Sequence, residues 1–131
     1  MAVPALAETG LDRPSPDEAV AALRRIAKAW ELDRHDTTAL LGVTGGDLGA
    51  VEWTDERLLR AAYLVELEAA LVRLNPKGGT PRWVVTPNPG PFFAGNTPLQ
   101  LLTGSTREMA EVLRQVRRWS GARRGGNTKP H

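Results

Sequence analysis

The side chains that could do chemistry are few and scattered. His35 stands in "DRHD" (33–36) and His131 is the last residue. A general base or metal site needs a second group within reach on the same face. His35 has no second histidine near it, so it is expected to be a solvated helix-surface residue. Glu66 and Glu68, two positions apart, project to different sides of a helix and do not form a working carboxylate pair. Cysteine is absent, which removes thiolates as nucleophiles and ligands. "GVTGGDLG" (42–49) is followed by no lysine that would reach a phosphate, and "GGTPR" and "GAVEW" lack the phosphate-loop pattern. The expectation is therefore no catalytic residue, no metal and no cofactor, hence a protein that acts by binding rather than an enzyme.

The chain has 131 residues, the size of one domain, with 41% apolar and 24% charged residues. A modest core is within its means. The formal net charge of +2 is unevenly spread, since seven Lys or Arg lie between Arg107 and His131 against Glu108 and Glu111. The lack of cysteine fits a reducing cytoplasm. "MAVPALAETGLDRPSP" has neither a basic start nor a long apolar run, so neither a signal peptide nor a membrane span is expected there. Residues 1–15 are taken as a flexible lead-in.

The elements that would position a binding face are helical. "SPDE" (15–18) combines a serine cap, a proline at the first helical position and Glu18 three residues after the cap, which predicts a helix from Pro16. Val20, Leu23, Ile26, Ala27 and Trp30 give it one apolar stripe. "LDRHDTTALLGVTGGDLGAVEW" (32–53) reads as two short helical pieces parted by Gly42 and recapped at Thr44, the punctuation of a helix-turn-helix. Thr54 caps "DERLLRAAYLVELEAALVRL", a long helix of about five turns at roughly 3.6 residues each, stopped by Asn75 and Pro76. Its charged positions are only Arg57, Arg60, Glu66, Glu68 and Arg73 beyond the capping acids, so neighbours on two sides are expected.

Six prolines from Pro76 to Pro98 then break any period. Thr97 and Pro98 restart a brief helix closed by Gly104, and Ser105 with Glu108 caps the last one. Met109, Val112, Leu113, Val116 and Trp119 form its apolar face, while Arg107, Glu111, Arg114 and Arg118 form the other. The chain after Trp119 is expected to be loose unless a partner holds it. These pieces predict an all-α fold: a degenerate helix-turn-helix N-terminal bundle (16–74), whose long helix connects to an irregular proline-rich strap and a C-terminal helix with a basic end (75–125), and a flexible tail (126–131).

A DNA-reading helix presents long donors at its N-terminal end. Here that end is Thr44, Gly45, Gly46, Asp47, Leu48, Gly49, so Thr44 is the one DNA-contact candidate, and Asp47, Glu52, Asp55 and Glu56 repel phosphate. A helix-turn-helix shape kept for packing or dimerisation is favoured. Arg114, Arg117, Arg118, Arg123 and Arg124 serve equally as a solvated face or as a recognition surface with salt-sensitive attraction to an anionic partner.

The order of parts after the long helix resembles the toxin-binding domain of the Xre/MbcA/ParS-type antitoxins. A tryptophan (Trp83) precedes a Pro-Asn pair (Pro87, Asn88), a Gly-x-x-Pro-x-x-Leu-Leu segment follows (Gly95, Pro98, Leu101, Leu102), and a helix from Thr106 to Trp119 closes the pattern. "AWELDRHDTTALLGV" and "LLRAAYLVELEAALVRL" look like the degenerate Xre-type helix-turn-helix and connecting helix of that family, so the resemblance spans about residues 16 to 125. It implies a RES-domain toxin as partner, a small enzyme that degrades NAD or transfers ADP-ribose from it, neutralised when the antitoxin's end region covers the NAD pocket. On this chain the residues so implied are Arg114, Arg117, Arg118, Trp119, Ser120, Gly121, Arg123, Arg124 and Gly125. The chain departs from the pattern in its acidic, glycine-rich reading segment and in "GNTKPH", which runs on past it, so either the terminal carboxylate or Arg123 and Arg124 would engage the pocket.

Within the strap, Trp83, Phe92 and Phe93 are expected to fill gaps against the long helix while the proline path limits the entropy lost on ordering. The expected protein is an antitoxin that forms a homodimer through its N-terminal helices and a larger complex with its toxin, without a membrane. The alternatives are a helix-turn-helix autorepressor bound to operator DNA and a bare dimerisation module.

Overall fold

The structure, a computed structural model, describes residues 14–126, with side chains through Ser120. The lead-in before residue 14, the tail after residue 126 and His131 lie outside the described residues. Among the described residues six α-helices follow in order: α1 (Pro16–Trp30), α2 (Arg34–Ala39), α3 (Asp55–Leu74), α4 (Thr80–Val84), α5 (Pro98–Leu102) and α6 (Thr106–Gly126). The fold is all-α, with no strand among the described residues.

α1 begins where its capping box requires. The Ser15 N–H donates to Glu18 Oε1 at 2.8 Å and the Glu18 N–H donates back to Ser15 Oγ at 3.2 Å. The Ser15 backbone N–H, and then its hydroxyl, hold the Glu18 carboxyl below its usual value. Ala19, Ala22, Leu23, Ile26 and Trp30 are buried, whereas Val20 is half-buried. The core-facing stripe thus centres on Ala19 rather than Val20, because small alanines let α1 approach its neighbours closely.

α2 is capped by Asp33, whose side chain accepts from the Asp36 N–H at 2.7 Å. The second helical piece expected after Gly42 does not form. Only a three-residue 3-10 turn, Leu48–Ala50, appears, and Asp47 caps it instead of Thr44, which is exposed. Gly45 and Gly46 explain this: both sit at positive φ, 70° and 83°, and each glycine costs a helix about 1 kcal/mol relative to alanine.

α3 is the central element, capped by Thr54 and stopped at Asn75. It packs against α1 on one side and α6 on the other, as its near-continuous apolar coverage requires. Leu58, Leu59, Leu64, Leu67 and Leu71 are buried along it, each contributing about 1.5–3 kcal/mol.

The charged position that composition alone would leave in solvent is instead the deepest pin of the fold. Arg60 is 3% exposed. Its Nε donates to the Leu40 carbonyl (2.8 Å), Nη2 to the Leu102 carbonyl (2.9 Å), and Nη1 to the Gly104 carbonyl and to Thr106 Oγ1 (both 3.1 Å). Leu40 and Leu102 lie at the C-terminal ends of α2 and α5, where the helix dipole is negative, so one cation serves two helix ends. Thr106 Oγ1 donates onward to Glu56 Oε2 at 2.7 Å. Burial pulls the guanidinium's pKa down, and the Glu56 and Glu108 carboxylates pull it up.

Replacing Arg60 with methionine keeps the volume but strands three carbonyls, so urea denaturation is expected to show a loss of about 3 kcal/mol or more. Arg60→Lys, which lacks the planar fork, should recover only part of it. An unchanged midpoint for Arg60→Met would remove the pin from this account. For Glu18 the depressed folded pKa means that its capping contribution is complete above the ordinary carboxylate range and is lost as pH falls through the lowered value. An NMR titration should place the Glu18 midpoint below the ordinary value of a glutamate in a short unstructured peptide.

Candidate functional site

The strap between α3 and α5 is more ordered than its composition predicts. Gly79, at φ 110°, turns the chain into α4, which carries Trp83 and the buried Val84. The next residues form a closed loop. The Asn88 N–H donates to the Asn96 carbonyl (3.0 Å), and the Gly95 N–H donates to the Asn88 carbonyl (2.8 Å). Asn88 Oδ1 also accepts from the Gly90 N–H at 2.9 Å, and Asn96 Nδ2 donates to the Phe93 carbonyl at 3.0 Å. Closure needs left-handed backbone at Ala94 (φ 52°) and Gly95 (φ 88°), which is the reason for a glycine at the second of these.

The loop delivers its aromatics to one hub. Phe93 is 1% exposed and stands edge-on to Trp83 with centroids 6.0 Å apart. Phe92 meets Phe93 at 4.9 Å, and Trp119 of α6 meets Phe93 at 6.1 Å and Trp83 at 6.5 Å. All but the tilted Phe93–Trp119 pair are edge-to-face, and such pairs add about 0.5–1.5 kcal/mol beyond area burial. The hub therefore fastens α4, the loop and α6 together. Pro98 and Leu102 are buried below it, Leu101 is half-buried, and Pro87 stays exposed as a loop-entry residue. Trp83, Phe92 and Phe93 thus pack inward as expected, and Trp119, placed by sequence on the apolar face, keeps 37% of its surface exposed.

α6 starts at a second capping box, with Ser105 and Glu108 bonded reciprocally at 2.9 and 3.0 Å. It runs past Trp119 to Gly126, where loose chain is predicted. Once a helix is nucleated each further residue adds a backbone bond, and Ser120 is anchored by Arg73. Ser120 is 3% exposed and its Oγ accepts from Arg73 Nε at 3.2 Å, so it serves the interior rather than a partner.

The arginines assigned to the outer face differ in what remains free. Arg114 Nη1 is held by both Glu111 oxygens at 3.0 Å, and Arg117 pairs with Glu66 of α3 at 2.9 Å. Arg107 and Arg118 are exposed and have no ion pair among the described residues. Burial raises the Tyr63 phenol above its usual value against the pull of Arg114. The side chains of Arg123 and Arg124, with Gly121 and Gly125, lie outside the described side chains.

The remaining candidates stand apart. His35 is exposed in the first turn of α2, and no cluster of three His, Cys, Asp or Glu able to hold a metal occurs among the described residues. A cleft of about 510 Å³ between α2 and the start of α3 is lined by Leu41, Thr54 and Arg60 among others, far in sequence from the aromatic hub. No described helix is long and apolar enough to cross a membrane. Arg60 and the Asn88–Asn96 closure are what sequence reasoning missed. Asn88 was visible as a motif residue, whereas Asn96 was not, and nothing in the spacing singles out Arg60 from the other charged residues of its helix.

No family model, curated protein or solved structure matches this chain.

The hub makes a graded prediction. Phe93→Ala should cost about 3–5 kcal/mol, whereas Trp119→Ala, already part-exposed, should cost less than half as much. Equal losses in thermal denaturation would show that the cluster is not organised around Phe93.

Proposed function

We propose that this chain is the antitoxin of a type II toxin–antitoxin pair, which binds a RES-domain, NAD-consuming toxin and covers its active site with α6 and the residues that follow. The observation that carries this reading is the packing of Trp119 of α6 against the motif residue Trp83 and against Phe93, which comes from the loop that Asn88 and Gly95 close. Occlusion of another protein's cleft requires a rigid element, because an end that must order on binding loses affinity to entropy. α6 is 21 residues long, about 30 Å at roughly 1.5 Å per residue, enough to reach across a small enzyme.

Charge supports the same reading. Arg118 is exposed and the next residue, Trp119, is part-exposed, and both residue types are enriched at interface centres. Arg114 and Arg117 are already paired within the chain, so they act first as supports for the helix face. A DNA-reading function has less behind it. Between Leu41 and Thr54 the chain holds one three-residue turn, too short to lie in a major groove, and the exposed Asp47 and Glu52 face solvent there.

The test is a search of the reading frames beside this chain's own for a RES-domain enzyme, followed by measurement of that enzyme's NAD turnover. The full chain should suppress NAD loss. Truncation after Ser120 keeps the Trp119 and Ser120 contacts, so it should retain the helical spectrum yet relieve most of the inhibition. Arg118→Glu should weaken binding at least about tenfold. Equal inhibition by the truncated chain would sink the occlusion mechanism, and absence of any complex would sink the antitoxin reading with it.

A further inference from the structure

α6 lies alongside α3 and runs in the same direction, because the contacts between them come in the same order along both helices. Arg60 holds Thr106 at the start of α6, Glu66 pairs with Arg117 at 2.9 Å, and Arg73 Nε donates to Ser120 Oγ at 3.2 Å. α3 ends at Leu74, the residue after Arg73, whereas α6 continues to Gly126, six residues past Ser120. α6 therefore leaves the body of the protein at Ser120. It projects beyond the last tie by about 9 Å at roughly 1.5 Å per residue.

The turn at which α6 leaves is held by three contacts. Arg117 reaches Glu66 of α3, Trp119 packs against Trp83 of α4 and Phe93 of the loop, and Ser120 accepts from Arg73 in the last turn of α3. At roughly 100° per residue these side chains span nearly half the circumference of α6, so they fix its tilt as well as its position. The Arg73–Ser120 bond is the innermost. The Arg117–Glu66 pair is exposed and easily hydrated, and the Trp119 indole is 37% exposed, whereas Ser120 is 3% exposed and has little water to exchange for its donor.

We infer that Arg73 is a positioning residue: acting through Ser120, it aims the projecting end of α6 while the chain is still free. The geometry stands by itself, and only the use of that aim rests on the proposed occlusion of a partner's cleft. A tilt of about 10° moves a tip about 9 Å away by about 1.6 Å, an error large enough to spoil a fitted contact. An end aimed in advance also loses less entropy on binding. Arginine suits this role because Nε lies in the guanidinium plane next to the stem, so donation from it orients the whole side chain. A lysine ammonium on a flexible stem sets no such direction. The last turn of α3 is favourable for the cation as well, being the negative end of the helix dipole.

Amide hydrogen exchange on the full chain tests the aim without any partner. Arg73→Met should speed exchange at least about threefold in residues 117–122 and leave α1 unchanged. Ser120→Ala should do the same, and the double variant should add nothing further, because each removes the same bond. Inhibition of the RES-domain enzyme of the proposed pair reads the consequence: all three variants should raise the inhibition constant by a similar factor of at least about three. Unchanged exchange in Arg73→Met overturns the inference, and so does faster exchange with undiminished inhibition. Inhibition lost in Arg73→Met but kept in Ser120→Ala also overturns it, since Arg73 would then touch the partner directly. Absence of any complex sinks the antitoxin reading instead, and exchange alone then decides whether Arg73 holds the end of α6.

Discussion

A buried guanidinium with all three of its nitrogens hydrogen-bonded is the constraint on which this fold turns. Desolvating a cation is expensive, and a lone buried charge would unfold a domain of this size. Arg60 avoids that cost because backbone carbonyls left over at the ends of α2 and α5 converge on it, together with Gly104 and the Thr106 hydroxyl. Those carbonyls need donors as much as the guanidinium needs acceptors. The exchange is mutual and geometrically strict, so it ties the end of α2, the end of α5 and the start of α6 to one point on α3. A lysine, with a point charge on a flexible stem, would not impose all three.

With the start of α6 set by Arg60, its far half is placed by a different kind of contact. Trp119 sits some four turns along from Thr106 at roughly 3.6 residues per turn, and it packs against Trp83 and Phe93. Polar satisfaction at one end and aromatic packing at the other give the helix two fixed points. The irregular strap is the price of the second: an ordinary hairpin between α3 and α5 has no reason to project Phe93 inward, whereas a loop closed by Asn88 and Asn96 does. Proline lowers the entropy the loop loses on ordering, and Gly95 supplies backbone that a side chain would strain.

This arrangement also sorts the surface cations. Arginines that look equivalent on a helix wheel are not equivalent in the fold, because α3 brings Glu66 to Arg117 and the helix itself brings Glu111 to Arg114. Exposed pairs of this type contribute little stability, yet they neutralise charge that would otherwise face a partner. Among the described residues these pairs leave Arg107 at the start of α6 and Arg118 near its end exposed and without an ion pair.

Much of this was legible in the chain. Local rules decide where helices begin, and Ser15, Thr54, Thr97 and Ser105 are caps that act within three residues of themselves, so sequence alone determines the starts of α1, α3, α5 and α6. The all-round apolarity of α3 likewise announces a central helix, and the aromatics of the strap announce an inward role. What only the tertiary structure decided depends on groups far apart in the chain. Arg60 looks like any surface arginine until carbonyls 20 and 42 residues away meet it. Thr44 resembles a cap until two left-handed glycines deny it a helix, and Ser120 resembles a contact residue until Arg73 claims it. Short-range hydrogen bonding is written in neighbouring residues, whereas desolvation and charge pairing belong to whatever the fold brings together.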